Sequence, residues 1–443
     1  MDYLQLGNEC YVAGDYEQAK VYYEKIISEH PSNITAHHNL GLTLVKLNKN
    51  EEAVEILKMP CDYNYSESLL SRGAAYRNLG YYEEAMADFA KAFIADPNHA
   101  GAYGNYSNSL REFGKPNIAV PFAQVAQQLN PEDKIFRLNE SIAHLYNGDL
   151  LKGWEKYDAR WYYETGSNIK PDLPGPEYNG SQSLIDKIIL VYCEQGFGDC
   201  IQFSRYILLL EKMAKKVIFV SKPKLVSLFK RNFPNCQIVS QNDGIPAYNY
   251  HVALLDLPKC FNTTIDSIPY PISFLSVDEG LKAQWKKILG PKTKLRIGIL
   301  LSSNSIAYIT KFRSVKVESM IDIFDSNFEF VNLSIDSSDE DKKIFDTYGV
   351  KTYTDAMGDF YTTAGLVVNL DLVITVDTYM AHLAGSLGIP TLVLLHKYGS
   401  DWRWFLDRID SPFYSCVKLI RQSERNKFDD MVLSIQKELE NLS

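Results

Sequence analysis

Small residues recur through the first part of the chain at a nearly constant interval: Gly7, Gly41, Gly73, Ser107 and Ser141 are separated by 34, 32, 34 and 34 residues. Twelve residues after each of the first four stands an alanine (Ala19, Ala53, Ala85 and Ala119), and Gly153 holds that place in the fifth copy. Pro31, Pro97 and Pro131 follow Gly7, Gly73 and Ser107 by 24 residues. A period kept in register over this many copies restricts the chain to a stack of similar units, each too small to bury its apolar face alone. Small residues at two fixed places let paired helices approach closely, and Leu6, Leu40, Tyr76, Phe89 and Tyr157 are expected to fill the seam. A proline after the second helix removes an N–H and ends it. The third copy, Gly73 to Pro97, fits best; the second departs after Leu57, where Met59-Pro60-Cys61 replaces the expected helix end.

This pattern resembles the tetratricopeptide repeat (TPR) family, whose unit is two antiparallel helices. The resemblance implies an α-helical TPR solenoid over residues 1–160, with a concave groove suited to an extended peptide. An array that only buttresses its neighbour or drives homo-oligomerisation fits the same residues.

Past Trp161 the helical period stops, and Pro171-Asp172-Leu173-Pro174-Gly175-Pro176 predicts an extended linker over 161–185. From Lys187 onward, short apolar runs alternate with amphipathic stretches. Ile188-Ile189-Leu190-Val191 and Val217-Ile218-Phe219-Val220 predict parallel strands of one α/β lobe, residues 186–290. Arg296 to Leu301, Phe330 to Leu333, Leu372 to Val376 and Thr391 to Leu395 predict a second lobe, 291–443. The polar segment Trp285 to Lys294, with Gly290-Pro291, is the expected hinge. Ligands of such folds sit beyond the carboxyl ends of the strands.

The 443-residue length is too great for one core, which agrees with several domains. A net charge of −9 speaks against a broad nucleic-acid footprint. The seven cysteines are scattered, without a C-x-x-C pair, and are expected to be reduced thiols. The start of the chain lacks the pattern of a secretory signal and no apolar run reaches the length of a membrane span, so a cytoplasmic location is expected.

Four segments could carry chemistry. Glu194-Gln195-Gly196-Phe197-Gly198-Asp199 follows a strand and precedes a helix; two glycines permit a tight turn, and Asp199 either projects into a cleft or only caps the helix. Val376-Asp377-Thr378-Tyr379-Met380-Ala381-His382-Leu383-Ala384-Gly385 is again strand, turn, helix, and its helix N-terminus could hold an anion, aided by the Thr378 hydroxyl. His382 is either structural or functional by spacing alone. Lys311-Phe312-Arg313-Ser314 brings cations to the same edge, or is solvated surface. Asp401-Trp402-Arg403-Trp404 to Arg408 either stacks on a base or sugar or packs the C-terminal helix across the lobes.

Together, Glu194 to Asp199 with Ile201-Gln202-Phe203 and Arg205-Tyr206, Val376 to Gly385, and Asp401 to Gln422 with Asp410-Ser411-Pro412 resemble bacterial TPR-containing glycosyltransferases related to glycosyltransferase family 9, the ADP-heptose heptosyltransferases of lipopolysaccharide synthesis. The resemblance spans nearly the whole chain. It implies a GT-B fold of two Rossmann-like lobes and metal-independent, cofactor-free transfer of a sugar from a nucleotide-sugar donor with inversion. On that analogy Asp199 is the general base. Asp377, Thr378, His382 and Gly385 bind the donor with Lys311 and Arg313, which offset charge on the departing diphosphate, and Gln195, Gly196, Gly198 and Gln202 line the acceptor side. Relatives of this type carry a tryptophan and a glycine-, histidine- and asparagine-rich loop where this chain has Leu301-Ser302-Ser303-Asn304-Ser305-Ile306-Ala307-Tyr308, and a glutamine is replaced in Leu333-Ser334-Ile335. The implied acceptor is a protein such as a flagellin or adhesin held by the repeats. A lipid-linked saccharide, or a non-catalytic interaction role, remains the alternative.

Overall fold

The computed structural model describes residues 2–162, 169–302, 313–425 and 427–442. The chain divides into two compact units, Met1–Asn147 and Gly148–Ser443.

The first unit is built from helical hairpins: Tyr3–Val12 with Tyr16–Glu29, Ile34–Lys46 with Asn50–Ile56, Ser66–Leu79 with Tyr82–Ala95, Ala100–Glu112 with Pro116–Leu129, and then Lys134–Tyr146. Asp2, Asp15, Asn33 and Asp133 cap their helices by accepting first-turn N–H groups, which have no partner within the helix. The small residue of each of the first three copies meets the residue sixteen positions later. A Cβ on Gly7 would stand 2.6 Å from the Tyr23 ring, one on Gly41 2.3 Å from Leu57, and one on Gly73 2.6 Å from Phe89. In the fourth copy that register holds Ala123 instead, and the small residue is Ser107, whose hydroxyl donates to the Ala119 carbonyl at 2.8 Å. Ala19, Ala53, Ala85 and Ala119 are fully buried. Leu40 and Phe89 fill the seam as expected, whereas Leu6 and Tyr76 are only half-buried. In the second copy the helix breaks at Leu57 and restarts as Lys58–Asp62 around Pro60, which accounts for the shorter step of that repeat.

The second unit begins inside the fifth copy. Helix Leu150–Lys156 and the 3-10 turn Tyr157–Tyr162 belong to it. Trp154 packs edge-on against Phe203 and Trp402, with ring centroids 6.0 and 5.2 Å away. Trp154, and with it Tyr157, expected in the seam and packed edge-on against Trp154 at 5.5 Å, tie this segment to the α/β unit.

Four parallel strands, β1 (Ile188–Tyr192), β2 (Lys216–Ser221), β3 (Gln237–Ser240) and β4 (Tyr250–Ala253), form a sheet in the order β3-β2-β1-β4. A second sheet contains β5 (Arg296–Leu300), β6 (Glu329–Asn332), β7 (Lys351–Thr352), β8 (Leu372–Val376), β9 (Thr391–Leu395), β10 (Asp410–Ser411) and β11 (Tyr414–Arg421), ordered β10-β11-β9-β8-β5-β6-β7. All pairings but β10 with β11 are parallel. Strands β5, β8 and β9 are buried along their whole length, so they read as unbroken apolar runs rather than as alternation. Strand order reverses direction at β1/β4 and at β5/β8, the places where such sheets open a crevice at their carboxyl edge.

The segment expected to be a hinge is instead a docked helix end. Helix Glu279–Leu289 buries Trp285, and a Cβ on Gly365 would stand 2.5 Å from its ring, so this helix sits against Phe360–Val367 of the second lobe. The buried Arg296 donates one Nη2 group to the carbonyls of Leu289, Gly290 and Pro291 at 3.1, 2.9 and 3.2 Å. Gly290-Pro291 is therefore clamped by the strand that follows it.

Candidate functional site

On the first lobe the turn after β1 is held from below. Arg160 forks onto Glu194, Nε to Oε2 at 2.9 Å and Nη2 to Oε1 at 2.7 Å, while its Nη1 reaches Asp256 at 2.8 Å. Arg160 and Glu194 are both buried, so Glu194 serves as an anchor. Gln195 takes the left-handed conformation at φ 55°, and its amide donates to the Tyr157 hydroxyl at 3.4 Å. Gly196 has an ordinary φ of −76°, so the turn does not depend on it. The value of the two glycines is close approach: a Cβ on Gly196 would stand 3.0 Å from Asp199 Oδ2, and one on Gly198 2.7 Å from the His382 ring. Helix Phe197–Phe203 thus packs directly on helix Tyr379–Leu387 of the other lobe.

Asp199 does two things at once. Its Oδ2 accepts the Gly196 N–H at 2.9 Å, the capping role, and its Oδ1 accepts from Arg403 Nη2 at 2.5 Å. Arg403 continues outward through Nε to Gln202 Oε1 at 2.7 Å and Nη1 to Asp401 Oδ1 at 2.8 Å, with its guanidinium 4.4 Å from the Trp402 ring. The other Asp401 oxygen meets Arg313 Nη2 at 3.2 Å, and Arg313 Nε stands 3.3 Å from Asp377 Oδ2. Three carboxylates and two guanidiniums therefore alternate across the carboxyl edges of both sheets. Burial works to raise the Asp401 carboxyl, but Arg403 and Arg313 outweigh it and hold it at about 2. Asp377 moves the other way: burial raises it, and the Arg313 charge offsets only part of that.

Thr378 caps helix Tyr379–Leu387, its hydroxyl accepting the Met380 N–H at 3.3 Å. His382 and Gly385, expected to touch a donor, are placed in the packed interior. His382 Nδ1 is 3.0 Å from the Tyr414 hydroxyl, and its ring stacks on Trp404 with centroids 5.4 Å apart. Burial and the neighbouring Arg403 push its pKa down to about 3, so the ring is neutral. A Cβ on Gly385 would stand 2.7 Å from the Tyr414 ring. Gln202 is also fully buried and reaches the cleft only through Arg403. Gly196, Asp199, Arg313, Thr378 and Tyr379 keep exposed surface. Lys311, and the departing loop from Ser303, lie outside the described residues.

Arg403 is the member that sequence reasoning named only within the Asp401 to Arg408 segment and did not place among the site residues. Its signal was present as a charged residue between two tryptophans, Trp402 and Trp404, directly after Asp401. Phe405, which follows, holds φ at 50°, and Arg421 Nη2 donates to the Trp404 and Phe405 carbonyls at 2.8 and 2.6 Å. A bulky residue with positive φ costs about 1–3 kcal/mol and persists only where its surroundings enforce it. Arg205 adds a second tie between lobes, donating to the Phe413 carbonyl at 2.9 Å beneath the Tyr414 ring. Among the described residues no cluster of three His, Cys, Asp or Glu side chains could hold a metal ion, and no helix is long and apolar enough to cross a membrane.

Models of the tetratricopeptide repeat match residues 13–60 and 66–99, both inside the first unit, so the chain carries tetratricopeptide repeats ahead of a mixed α/β region with parallel sheets. One relative extends across both: Protein FlbA of Caulobacter vibrioides is 23% identical over 424 residues, covering 88% of this chain and 70% of FlbA. Stress-induced-phosphoprotein 1 of Caenorhabditis elegans is 28% identical over 138 residues, 31% of this chain and 41% of that protein. Among solved structures, the thermophilic TPR protein TTC0263 of Thermus thermophilus is 22% identical over 37% of this chain and 90% of its own, with a TM-score of 0.33.

Proposed function

We propose that the second unit is an inverting, metal-independent glycosyltransferase of GT-B type that takes a sugar from a nucleotide-sugar donor, and that the repeats hold its protein acceptor, flagellin-like or adhesin-like. The observation that carries this reading is convergence: a partly exposed carboxylate after β1 meets Arg403, which Asp401 links to Arg313 beside the helix N-terminus after β8, at the reversal points of two parallel sheets. In this scheme the acceptor oxygen forms a bond to the anomeric carbon while the bond to the diphosphate breaks. The acceptor proton passes to Asp199, and the electron pair leaves with the diphosphate, whose charge Arg313 and the N-terminus of helix Tyr379–Leu387 offset. Asp377 and Thr378 shape that end of the donor site. The role of the repeats rests on their family, whose arrays suit peptide and protein partners. A lipid-linked saccharide acceptor would leave the repeats as scaffolding.

A second reading, a non-catalytic interaction protein built on transferase-like lobes, is favoured by one observation. Both Asp199 oxygens are engaged, and Gly198 rests against His382, so the lobes touch where the acceptor would approach. Incubating the full chain with a panel of nucleotide sugars and measuring released diphosphate separates the two. Release from one donor supports the enzyme; binding of nucleotides without release from any donor supports the second reading. For the acceptor, deletion of residues 1–130 should abolish protein modification while sparing donor hydrolysis, and unchanged modification would remove the repeats from that role.

A further inference from the structure

We infer that Arg403 is a positioning residue that exchanges Asp199 for the diphosphate of the donor, so that Asp199 is released as a base only when the donor is bound. This rests on the transferase reading above. As the charges stand, three carboxylates (Asp199, Asp377, Asp401) share two guanidiniums (Arg313, Arg403), and an incoming diphosphate would meet a net negative cluster. Taking a guanidinium from a carboxylate would relieve that repulsion and give the diphosphate a charged partner beside the helix N-terminus.

The geometry says which link yields. Asp401 is gripped twice by the arginine side chains, Arg403 through Oδ1 and Arg313 through Oδ2, and it also accepts the Arg403 backbone N–H at 3.1 Å. Asp377 is the most enclosed of the three carboxylates, its side chain 7% exposed. Asp199 is held by Arg403 through one N–H only, and its side chain is the most exposed, at 21%. Releasing Asp199 therefore breaks one side-chain contact to Arg403, whereas releasing Asp401 would break contacts to both arginines. Arg403 would keep its Asp401 and Gln202 bonds during the exchange, so only the Nη2 group changes partner. Asp199 would keep the Gly196 N–H on Oδ2, which fixes the carboxylate's orientation while Oδ1 becomes free to accept a proton. Arginine suits this task because its planar fork binds carboxylate and phosphate oxygens with the same geometry.

A double-mutant cycle on nucleotide binding tests the exchange. Calorimetry on the full chain with ADP, GDP, UDP and CDP compares wild type, Asp199→Asn, Arg403→Gln and the double variant. Asp199→Asn should tighten binding about 3- to 30-fold, because Arg403 no longer has to leave a charged partner, and in the Arg403→Gln background the same change should alter affinity by less than about twofold. An equal gain in both backgrounds, or no gain in wild type, overturns the inference, because removal of a negative charge alone acts without Arg403. If Arg403→Gln does not fold, Arg403→Lys takes its place; it keeps the charge without the fork, and the gain should fall to less than half. Nucleotide binding without coupling removes this inference alone, whereas no binding of any of the four nucleotides removes the donor reading with it.

Discussion

The two units are held together on different length scales. In the repeats the decisive contacts join residues sixteen apart: Gly7 with Tyr23, Gly41 with Leu57, Gly73 with Phe89, and the partly buried ion pair of Arg72 with Asp88 at 2.7 and 2.8 Å. In the α/β unit Arg403 reaches Gln202 and Asp199 across 201 and 204 positions, and Arg205 reaches Phe413 across 208. Short-range contacts let each repeat answer mainly to its neighbours, whereas the second unit forms its site only once chain segments from both of its ends have met.

The largest expected effects come from the buried charges. Arg160→Leu strands Glu194 and Asp256 and should destabilise the α/β unit by about 3–5 kcal/mol, as seen by denaturant unfolding. Asp88→Ala should cost less, about 1–3 kcal/mol in the repeats, because the Arg72 it leaves behind keeps some contact with solvent. Hydrogen exchange should then rise in helices Ser66–Leu79 and Tyr82–Ala95 and in adjacent hairpins, with the α/β unit unchanged. Equal loosening of both units would break the contrast.

An intermediate effect is expected at the seam. Gly41→Ala sets a methyl group against Leu57 and should cost about 1–3 kcal/mol. Adding Leu57→Ala should recover part of that loss, as the Ser107 and Ala123 pair of the fourth copy illustrates. A double variant weaker than the sum of the two singles would show that the seam is not set by this pair.

The last effect, small over any one pH unit, is a pH dependence. His382 is held at about 3, below its ordinary 6.5, so the unfolded chain binds the proton first. Stability therefore falls as pH drops from about 6.5 toward 3, by at most about 1.4 kcal/mol per pH unit from this residue. His382→Gln should flatten that part of the curve in urea melts at pH 6.5 and 5. An unchanged slope would mean that the ring is not sealed between Trp404 and Tyr414.

The same difference in length scale decides what could be read from the residues. Gly7, Gly41 and Gly73 announce their register because their partners recur with them, and Asp199 and Asp377 are placed at strand ends by the apolar runs before them. Gly196 and Gly198 look like turn glycines, yet the turn is made by Gln195 and the glycines serve approach to Asp199 and His382. Gly290-Pro291 looks like a hinge, yet Arg296 closes it, and no local pattern shows that a strand residue will cap a preceding helix. His382 sits on a helix whose N-terminus suggests an anion site, but its neighbours Tyr414 and Trp404 come from distant segments that bury it. Arg403 has the same character: its partners on the first lobe are invisible from its own surroundings.

The central claim is that Asp199 serves as a base beside a bound diphosphate, and Asp199→Asn tests it most directly. With a donor identified, the variant should lose about 10²- to 10⁴-fold in turnover while still binding the nucleotide at least as tightly as wild type. Sugar transfer by Asp199→Asn at the wild-type rate would contradict the account.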